Sequence, residues 1–452
     1  MVVYDHFALP GVAQAQVERA GGDVVATYPL IGVVVAESSA PDFEASIERK
    51  RSVEGAAPTA EYAAAASLDW DGQDRPGLPS EPAADDDTFS GLQWGLDQTH
   101  AKEAHAVTGG SPKVHVGVID TGIDATHPDL DDNLDPRRSV SCVGGAANRD
   151  PATWDDDSGH GTSVSGIVAA ESNGIGIFGV APNVRIAAIK ASVRDGARDV
   201  FLPEAVICSF VWAADHGIDV TNNSYSVDSA IVDGTTSFCE TDENQRVVIE
   251  AVRRSVRYAT LRGVSVVASA GNLNADMVAD PCVRLPSELP GVVTVAATGL
   301  FGERTAYSNF GLGVIDVAAP GGALDQGTPP EGLVLGPWPA KFQVPRLLCD
   351  PPATPCPPPD GTPRSYYRFV FGTSEAAAHV SGVAALVVSE YGRSDDWPFF
   401  GALSPYQVEA ILRKTADPVP CPDDSRCQEQ GDVNGFYGHG IVNALRAVTL
   451  RD

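Results

Sequence analysis

The feature that most constrains the fold is a regular alternation of short apolar runs and helical stretches from residue 92 to the end of the chain. Apolar runs of strand length lie at residues 114–119, 184–189, 264–268 and 292–297, and residues 245–262 have the pattern of a helix. Strands that alternate with helices need crossover connections, which place the strands parallel in one sheet. The sequence therefore predicts an α/β domain with a parallel sheet over residues 92–452.

The N-terminal residues 1–58 follow a different pattern. Predicted strands at residues 2–4, 24–26, 33–35 and 53–57 enclose predicted helices at residues 12–20 and 43–49. The order β-α-β-β-α-β is the ferredoxin-like arrangement of a small α+β domain. Residues 59–91 are rich in Ala, Pro, Asp and Gly, and this composition predicts an exposed linker between the two domains.

Composition excludes several classes of partner. The chain has 452 residues and a formal net charge of −29, so it lacks the basic surface that nucleic acid or an anionic membrane requires. Hydrophobic residues make up 43%, enough for a sizeable core, yet no run is long enough to span a membrane. We expect a soluble monomer.

The cysteines predict disulfides. None of the eight belongs to a C-x-x-C pair, which argues against a zinc site. Cys349 and Cys356 bracket one short loop, and Cys421 and Cys427 bracket another, as local disulfides do. Disulfides indicate an oxidising compartment, so we expect a secreted protein. No signal is recognisable in the first residues, so it has either been removed or lies upstream of residue 1. The other pairings stay open, with these as one arrangement: Cys142–Cys208 and Cys239–Cys282.

Three segments place chemically active side chains next to predicted strands and helices. Asp120 ends an apolar strand, His160 lies between two glycines just before a helical run, and Ser374 precedes the helical residues 375–391. Functional groups of open α/β sheets lie at the carboxyl ends of the strands. We therefore expect these three side chains to meet there.

Their chemistry suits nucleophilic catalysis. A serine hydroxyl is a weak nucleophile and needs a base, which in turn needs a group that fixes its orientation. His160 would be the base, Asp120 the orienting acid and Ser374 the nucleophile. Free backbone N–H groups at the start of a helix suit a developing oxyanion. Asn272, which follows another apolar strand, would add a side-chain N–H.

The order Asp, His, Ser along the chain resembles that of the subtilisin-like serine proteases, the subtilase family. Residues 435–444 resemble the closing motif of this family, and residues 1–58 resemble its propeptides. The resemblance implies a serine endopeptidase that cleaves proteins or peptides through an acyl-enzyme intermediate. It also implies a precursor that cuts itself within residues 59–91 and keeps residues 1–58 as its own inhibitor.

The resemblance further implies a groove in which the substrate adds as a strand. One wall would be formed by Ser224, Tyr225 and Ser226, and the other by Ala268, Ser269, Ala270 and Gly271. Arg284 would lie near the floor of the pocket for the residue before the cut, which predicts a preference for an acidic residue there.

A calcium site is implied in the same way. Calcium prefers oxygen ligands, and the matching side chains are Gln93, Asp129 and Asn173. Backbone carbonyl groups would come from Glu171, Ile175 and Ile177.

Two other functions agree with part of the sequence. Asp120 and Asp157 both begin a D-[ST]-G motif of aspartic proteases, but a spacing of 37 positions is too short for the separate β lobe that such enzymes need. The other rival is a catalytically dead relative that only binds peptides. The feature that supports a dead relative is Glu375, which stands where the family usually has Met. Its carboxylate would lie beside the place where the oxyanion develops and could repel it. A smaller departure is Ser163, where the family often has a second histidine. Residues 323–367 have no predicted role.

Overall fold

The computed structural model describes residues 1–5, 8–59, 87–196, 198–227, 238–323, 332–342, 344, 346–352, 356–357, 364–392 and 403–450. Within these residues, no helix is long and apolar enough to cross a membrane.

The N-terminal residues form a four-stranded antiparallel sheet with the strand order β2-β3-β1-β4. Val2, Val17, Val34 and Ile47 are fully buried between this sheet and its two helices. All six predicted elements are confirmed, because each apolar run faces this small core. The elements are β1 (Val2–Tyr4), α1 (Ala13–Arg19), β2 (Asp23–Tyr28), β3 (Val33–Glu37), α2 (Phe43–Glu48) and β4 (Val53–Ala56).

The larger part of the chain is built on a seven-stranded sheet whose strand pairs are all parallel. Its order is β13-β12-β11-β10-β5-β7-β6. The predicted α/β fold is confirmed, and the strands are almost entirely buried because helices cover the sheet. The strands are β5 (His115–Asp120), β6 (Val140–Ser141), β7 (Arg185–Lys190), β10 (Val220–Asn223), β11 (Ser265–Ser269), β12 (Val292–Thr298) and β13 (Val317–Pro320).

The helices carry the chain between these strands. The long helix α8 (Thr373–Tyr391) is buried along residues 373–388. Its many small side chains let it pack closely against the sheet and against helix α5 (His160–Ala169). Two shorter helices, α3 (Trp94–Gln98) and α4 (Ala101–Ala104), precede the first strand of the large sheet. The others are α6 (Pro203–Asp215), α7 (Glu243–Leu261), α9 (Pro405–Thr415) and α10 (Ala444–Thr449). Short 3₁₀ turns occupy Ser90–Leu92, Val143–Gly145 and Pro151–Thr153.

Three small antiparallel sheets complete the described fold. The strands β14 (Val334–Trp338), β15 (Leu348–Asp350) and β16 (Ser365–Val370) form one with the order β14-β16-β15. It lies within the segment that had no predicted role. The other two are two-stranded: β8 (Ser192–Asp195) with β9 (Arg198–Phe201), and β17 (Glu429–Gln430) with β18 (Val433–Asn434).

All eight cysteines form disulfides. Both predicted local pairs are confirmed, and so is the arrangement suggested for the other four cysteines. The bonds are Cys142–Cys208, Cys239–Cys282, Cys349–Cys356 and Cys421–Cys427.

The N-terminal domain docks on helix α7 through apolar packing, with Val3 and Val33 in one buried cluster with Val248, and through one buried arginine. The guanidinium of Arg254 donates hydrogen bonds to the carbonyl oxygens of Tyr4, at 2.7 Å, and Ile31, at 3.2 Å. It also forms ion pairs with Glu54 of the N-terminal domain and Glu250 of its own helix. A guanidinium with only 4% of its side chain exposed needs such partners, so this contact fixes how the two domains meet.

Candidate active site

The acid and the histidine meet at the carboxyl end of β5. Asp120 is the last residue of that strand and is fully buried. His160 begins α5, directly after Gly159, whose φ of 102° suits glycine. The Nδ1 atom of His160 lies 2.7 Å from Oδ1 of Asp120, and the backbone N–H of Thr121 donates to the same oxygen at 2.7 Å. These contacts fix the orientation of the imidazole ring.

The pKa values of Asp120 and His160 are both raised, but for different reasons. Burial raises the pKa of Asp120, and the contact with His160 opposes that shift. Burial alone would lower the pKa of His160, but the negative charge of Asp120 and its hydrogen bond outweigh burial and raise it. The pair therefore stabilises a proton on the imidazole, as a general base requires after it accepts one.

Ser374 reaches the same cleft from the first turn of α8. It lines one pocket together with His160. Its hydroxyl donates to the carbonyl oxygen of Ser224 at 3.2 Å, and Nε2 of His160 has no hydrogen-bond partner among the described residues. The serine–histidine hydrogen bond is thus open in this structure, as is common for catalytic pairs before substrate binds.

Asn272 lies beside the start of α8. Its Oδ1 atom accepts hydrogen bonds from the backbone N–H of Thr373, at 2.9 Å, and from the hydroxyl of Thr373, at 2.8 Å. These bonds hold the amide so that Nδ2 is its outward donor. A methyl group at Gly372 would lie 3.3 Å from this Nδ2 and 3.7 Å from the backbone N of Ser374, so the two donors border the same space.

The two predicted groove segments follow neighbouring parallel strands. Asn223 of β10 pairs with Ala268 of β11, so residues 224–226 and 268–271 leave the sheet side by side. Tyr225, however, stacks on Phe201 at 4.3 Å between ring centroids and donates to Asn223. Its side chain belongs to the core, so Tyr225 presents only its backbone to the groove.

Residues 111–440 match the sequence profile of the Subtilase family. This match covers most of the chain and includes every element that forms the cleft. The chain is a subtilase. As a member of this family, it is a serine endopeptidase, which agrees with the function that the motifs predicted.

Individual subtilases show the extent of the likeness. The chain is 31% identical to subtilisin BL of Lederbergia lenta over 358 residues, which is 79% of this chain and 98% of that protein. It is 29% identical to a thermophilic serine proteinase of Bacillus sp. strain AK1 over 365 residues, 80% of this chain and 69% of that protein.

Two solved structures extend the comparison. A lanthipeptide protease has 27% identity and a TM-score of 0.60, with 79% of this chain and 94% of that one covered. The epidermin leader peptide processing protease of Staphylococcus aureus has a TM-score of 0.70 at 20% identity, with 99% and 97% covered. The second likeness shows the fold, including that of the N-terminal domain.

Asp156 organises the turn that carries the subtilase histidine, and it was not predicted. Its carboxylate accepts hydrogen bonds from the backbone N–H groups of Ser158 and Gly159, from the hydroxyl of Thr121, and from Thr162. Thr121 in turn accepts from the N–H of Gly161. An acid shortly before a helix is a common capping signal, and this signal could have identified Asp156 in the run Asp155–Asp157.

Glu375 follows Ser374 in the first turn of α8 and is buried. Burial raises its pKa to about 7, and the charge of His160 partly offsets this shift. A methyl group at Gly372 would lie 3.0 Å from Oε2 of Glu375, so this oxygen borders the same space as the Asn272 amide. Oε2 has no hydrogen-bond partner among the described residues. Near neutral pH, the carboxyl group of Glu375 therefore changes between its neutral and its negatively charged form, and the charge next to Ser374 depends on pH.

The residues predicted to bind calcium surround the loop of residues 171–178. Gln93 exchanges two hydrogen bonds with the backbone of Phe178. Asn173 accepts from the N–H of Ile175 at 3.1 Å, and the Ile177 N–H donates to Asp129 at 3.1 Å. The Glu171 carboxylate accepts from the N–H groups of residues 132 and 133. Glu171 therefore stays a candidate ligand through its backbone carbonyl, as predicted, and not through its side chain.

Arg284 is buried and ion-paired. Its guanidinium contacts Asp280 at 2.9 Å and Glu288 at 3.5 Å. Two carboxylates neutralise its charge locally. This arrangement weakens the prediction that Arg284 selects acidic substrates.

Proposed function

We propose that this serine endopeptidase uses Ser374 as nucleophile, His160 as general base and Asp120 as the acid that orients the base. The observation that carries the proposal is the 2.7 Å contact between the His160 and Asp120 side chains, with the opposite ring nitrogen unpartnered in the pocket that Ser374 lines. Hydrolysis of an internally quenched peptide that disappears in Ser374→Ala tests it.

The reaction follows from these positions. Ser374 attacks the scissile carbonyl carbon while Nε2 of His160 takes the hydroxyl proton, and the carbonyl oxygen becomes an oxyanion. The side-chain N–H of Asn272 and the backbone N–H of Ser374 stabilise that charge. His160 then gives its proton to the leaving amine, and an acyl-enzyme remains. Water, deprotonated by His160, releases the acyl group.

The groove supplies the binding energy on the acyl side of the substrate. We assign the substrate-pairing edge to the backbone of residues 224–226 and the facing wall to residues 268–271. Backbone pairing holds the peptide whatever its side chains are. The four disulfides support secretion into an oxidising compartment.

Residues 1–58 are proposed as a propeptide that inhibits the enzyme from within. Their support is a small core of their own and a docking contact that combines apolar packing with the buried Arg254 and its partners. The predicted cleavage region, residues 59–91, lies mostly outside the described residues.

N-terminal sequencing of the purified protein tests this maturation. Wild type is expected to show one cut within residues 59–91, and Ser374→Ala prepared without other proteases is expected to keep its full length. An active wild type that remains uncut would refute autoprocessing, and so would a Ser374→Ala protein cut at the same bond.

The loop of residues 171–178 suits a structural cation. The Oδ1 atom of Asp129 is buried and has no hydrogen-bond partner among the described residues. Burial raises the pKa of Asp129 to about 8, and the charges of Asp87 and Asp350 add to the shift. A bound cation would relieve this accumulation of negative charge. We propose calcium here, held by Asp129 and the oxygens of the predicted set.

Calcium should therefore stabilise the fold, since a ligand bound only to the native state favours that state. In the Ser374→Ala background, which prevents self-digestion, calcium in place of chelator is expected to raise Tm by roughly 5 °C. The rise should vanish in Asp129→Asn and persist in Asp131→Asn, a change of an exposed neighbour. Equal Tm values in calcium and chelator would remove the site.

Glu375 should give the enzyme an unusual pH dependence. It is neutral below its pKa of about 7 and negative above it, and the negative form opposes the oxyanion. The ratio of kcat/KM for Glu375→Gln to that for wild type should therefore rise between pH 6 and pH 9, by about tenfold. A ratio that stays constant with pH would show that Glu375 does not titrate beside the reaction centre.

A further inference from the structure

The sheet β14-β16-β15, which had no predicted function, forms the wall of a pocket beside the reaction centre. The pocket has a volume of about 250 Å³. One side is polar and consists of Asp157, Ser158, His160, Ser163, Arg194, Ser374 and Glu375. Its opposite wall consists of residues from this sheet and its flanking loops: Trp338, Phe342, Val344, Arg368, Val370 and Phe371.

The wall is anchored against the helix that carries the histidine. A methyl group at Gly166 would lie 2.2 Å from Pro337, and one at Gly159 would lie 2.7 Å from the Trp338 ring. Only glycine permits such close approach at these two positions. The Trp338 indole N–H also donates to the carbonyl oxygen of Phe342 at 3.1 Å. The pocket is thus formed before any substrate binds.

The position of the pocket identifies the part of the substrate that it faces. The acyl half of the peptide lies along residues 224–226 and 268–271 in the proposed mechanism, and these segments do not line the pocket. Ser374 bonds to the carbonyl carbon, so the amine half must leave on the other side of the serine. The pocket therefore faces the first residue after the scissile bond, the P1′ residue.

The lining determines which side chain fits. Trp338, Phe342, Val344, Val370 and Phe371 offer aromatic and aliphatic surface. The cations at the rim are engaged within the protein, because Arg368 lies over the Trp338 ring at 4.6 Å and Arg194 pairs with Asp199 at 2.7 Å. The carboxyl group of Glu375 disfavours an acidic side chain. On the other side, Asp157 pairs with Lys190 at 2.6 Å and Ser158 donates to Asp199 at 2.6 Å. A side chain that lies against the sheet therefore gains binding energy from apolar burial on that wall.

We propose that the sheet β14-β16-β15 creates a binding site for a large apolar P1′ side chain and so sets the specificity of the enzyme on the leaving-group side. This inference rests on the proposed triad and groove. It gives residues 332–370 a function that the motifs of the family do not require.

A peptide series that differs only at P1′ tests the site. For Phe, Leu, Gly and Asp at that position, kcat/KM should be about tenfold or more higher with Phe or Leu than with Gly or Asp. Phe342→Ala should reduce the Phe-to-Gly ratio by about tenfold. The matched control is Phe301→Ala, which truncates a phenylalanine that is 87% exposed and lies outside the pocket; its ratio should equal that of wild type.

A second variant tests the same pocket independently, in case Phe342→Ala does not fold. Val344→Trp fills the pocket from its rim, so it should lower kcat/KM for the Phe peptide far more than for the Gly peptide. A wild-type enzyme indifferent to P1′, or a preference that survives both variants, overturns the proposed site. Hydrolysis that persists in Ser374→Ala would instead overturn the proposed triad, so the two failures are distinguishable.

Discussion

Ser374→Ala is expected to lose several orders of magnitude in kcat/KM while keeping the Tm of the wild-type protein. The side-chain oxygen is the only heavy atom removed, and its single described hydrogen bond as a donor, to the carbonyl of Ser224, is weak at 3.2 Å. Because the triad acts as a unit, His160→Ala should lose a similar amount, and the double variant should lose hardly more.

The measurement is hydrolysis of an internally quenched peptide by protein purified from a protease-free host. Ser425→Ala, a change of an exposed serine in the loop closed by Cys421 and Cys427, serves as the control and should retain full activity. Undiminished turnover by Ser374→Ala would mean that another residue forms the acyl-enzyme.

The second large effect concerns the oxyanion. Asn272→Leu keeps the approximate size of the side chain but removes its N–H donor, so kcat should fall about a hundredfold or more, while KM changes little. This is the magnitude already known for such a donor in subtilisin. Thr373 would lose its acceptor as well, which makes the folded state of the variant worth checking by Tm.

Asn274→Asp provides the contrast. Its amide oxygen accepts hydrogen bonds from Arg304 and Arg426, so this residue faces away from the nucleophile although it is only two positions further along. Steady-state kinetics should show normal kcat for this variant. An equal loss in both variants would indicate that the loop tolerates no change, and a normal kcat in Asn272→Leu would exclude the donor role.

The residues of the proposed reaction centre stand out in the sequence because they follow signals that are local. Asp120 ends an uninterrupted apolar strand, and His160 follows a glycine at a left-handed position. The carboxyl ends of parallel strands lie at the same edge of the sheet, independent of the length and sequence of the connecting loops. The likeness to the subtilases added the order of the three residues.

Other features depend on contacts that no local pattern encodes. Strand β10 ends at Asn223, so no strand periodicity predicts which way the side chain of Tyr225 points. Its inward stacking on Phe201 is visible only in the structure. Likewise, Arg254 belongs to an amphipathic helix, where an arginine usually faces solvent. Its burial follows only from the docking of the N-terminal domain.

The behaviour of Glu375 is a third such case. A carboxylate after the nucleophile predicts repulsion of the oxyanion if it is charged. The structure buries it completely and raises its pKa to about 7, which makes the repulsion depend on pH. Burial is a property of the whole fold, and the sequence near Ser374 does not reveal it.

The most direct test of the central claim is covalent labelling with a fluorophosphonate probe, followed by mass spectrometry of the peptides. The probe reacts with a serine only when a base activates it. We expect one label per molecule, located on Ser374, absent in Ser374→Ala and strongly slowed in His160→Ala. An enzyme that cleaves peptides but is not labelled on Ser374, or is labelled equally fast without His160, would contradict the assignment of the triad.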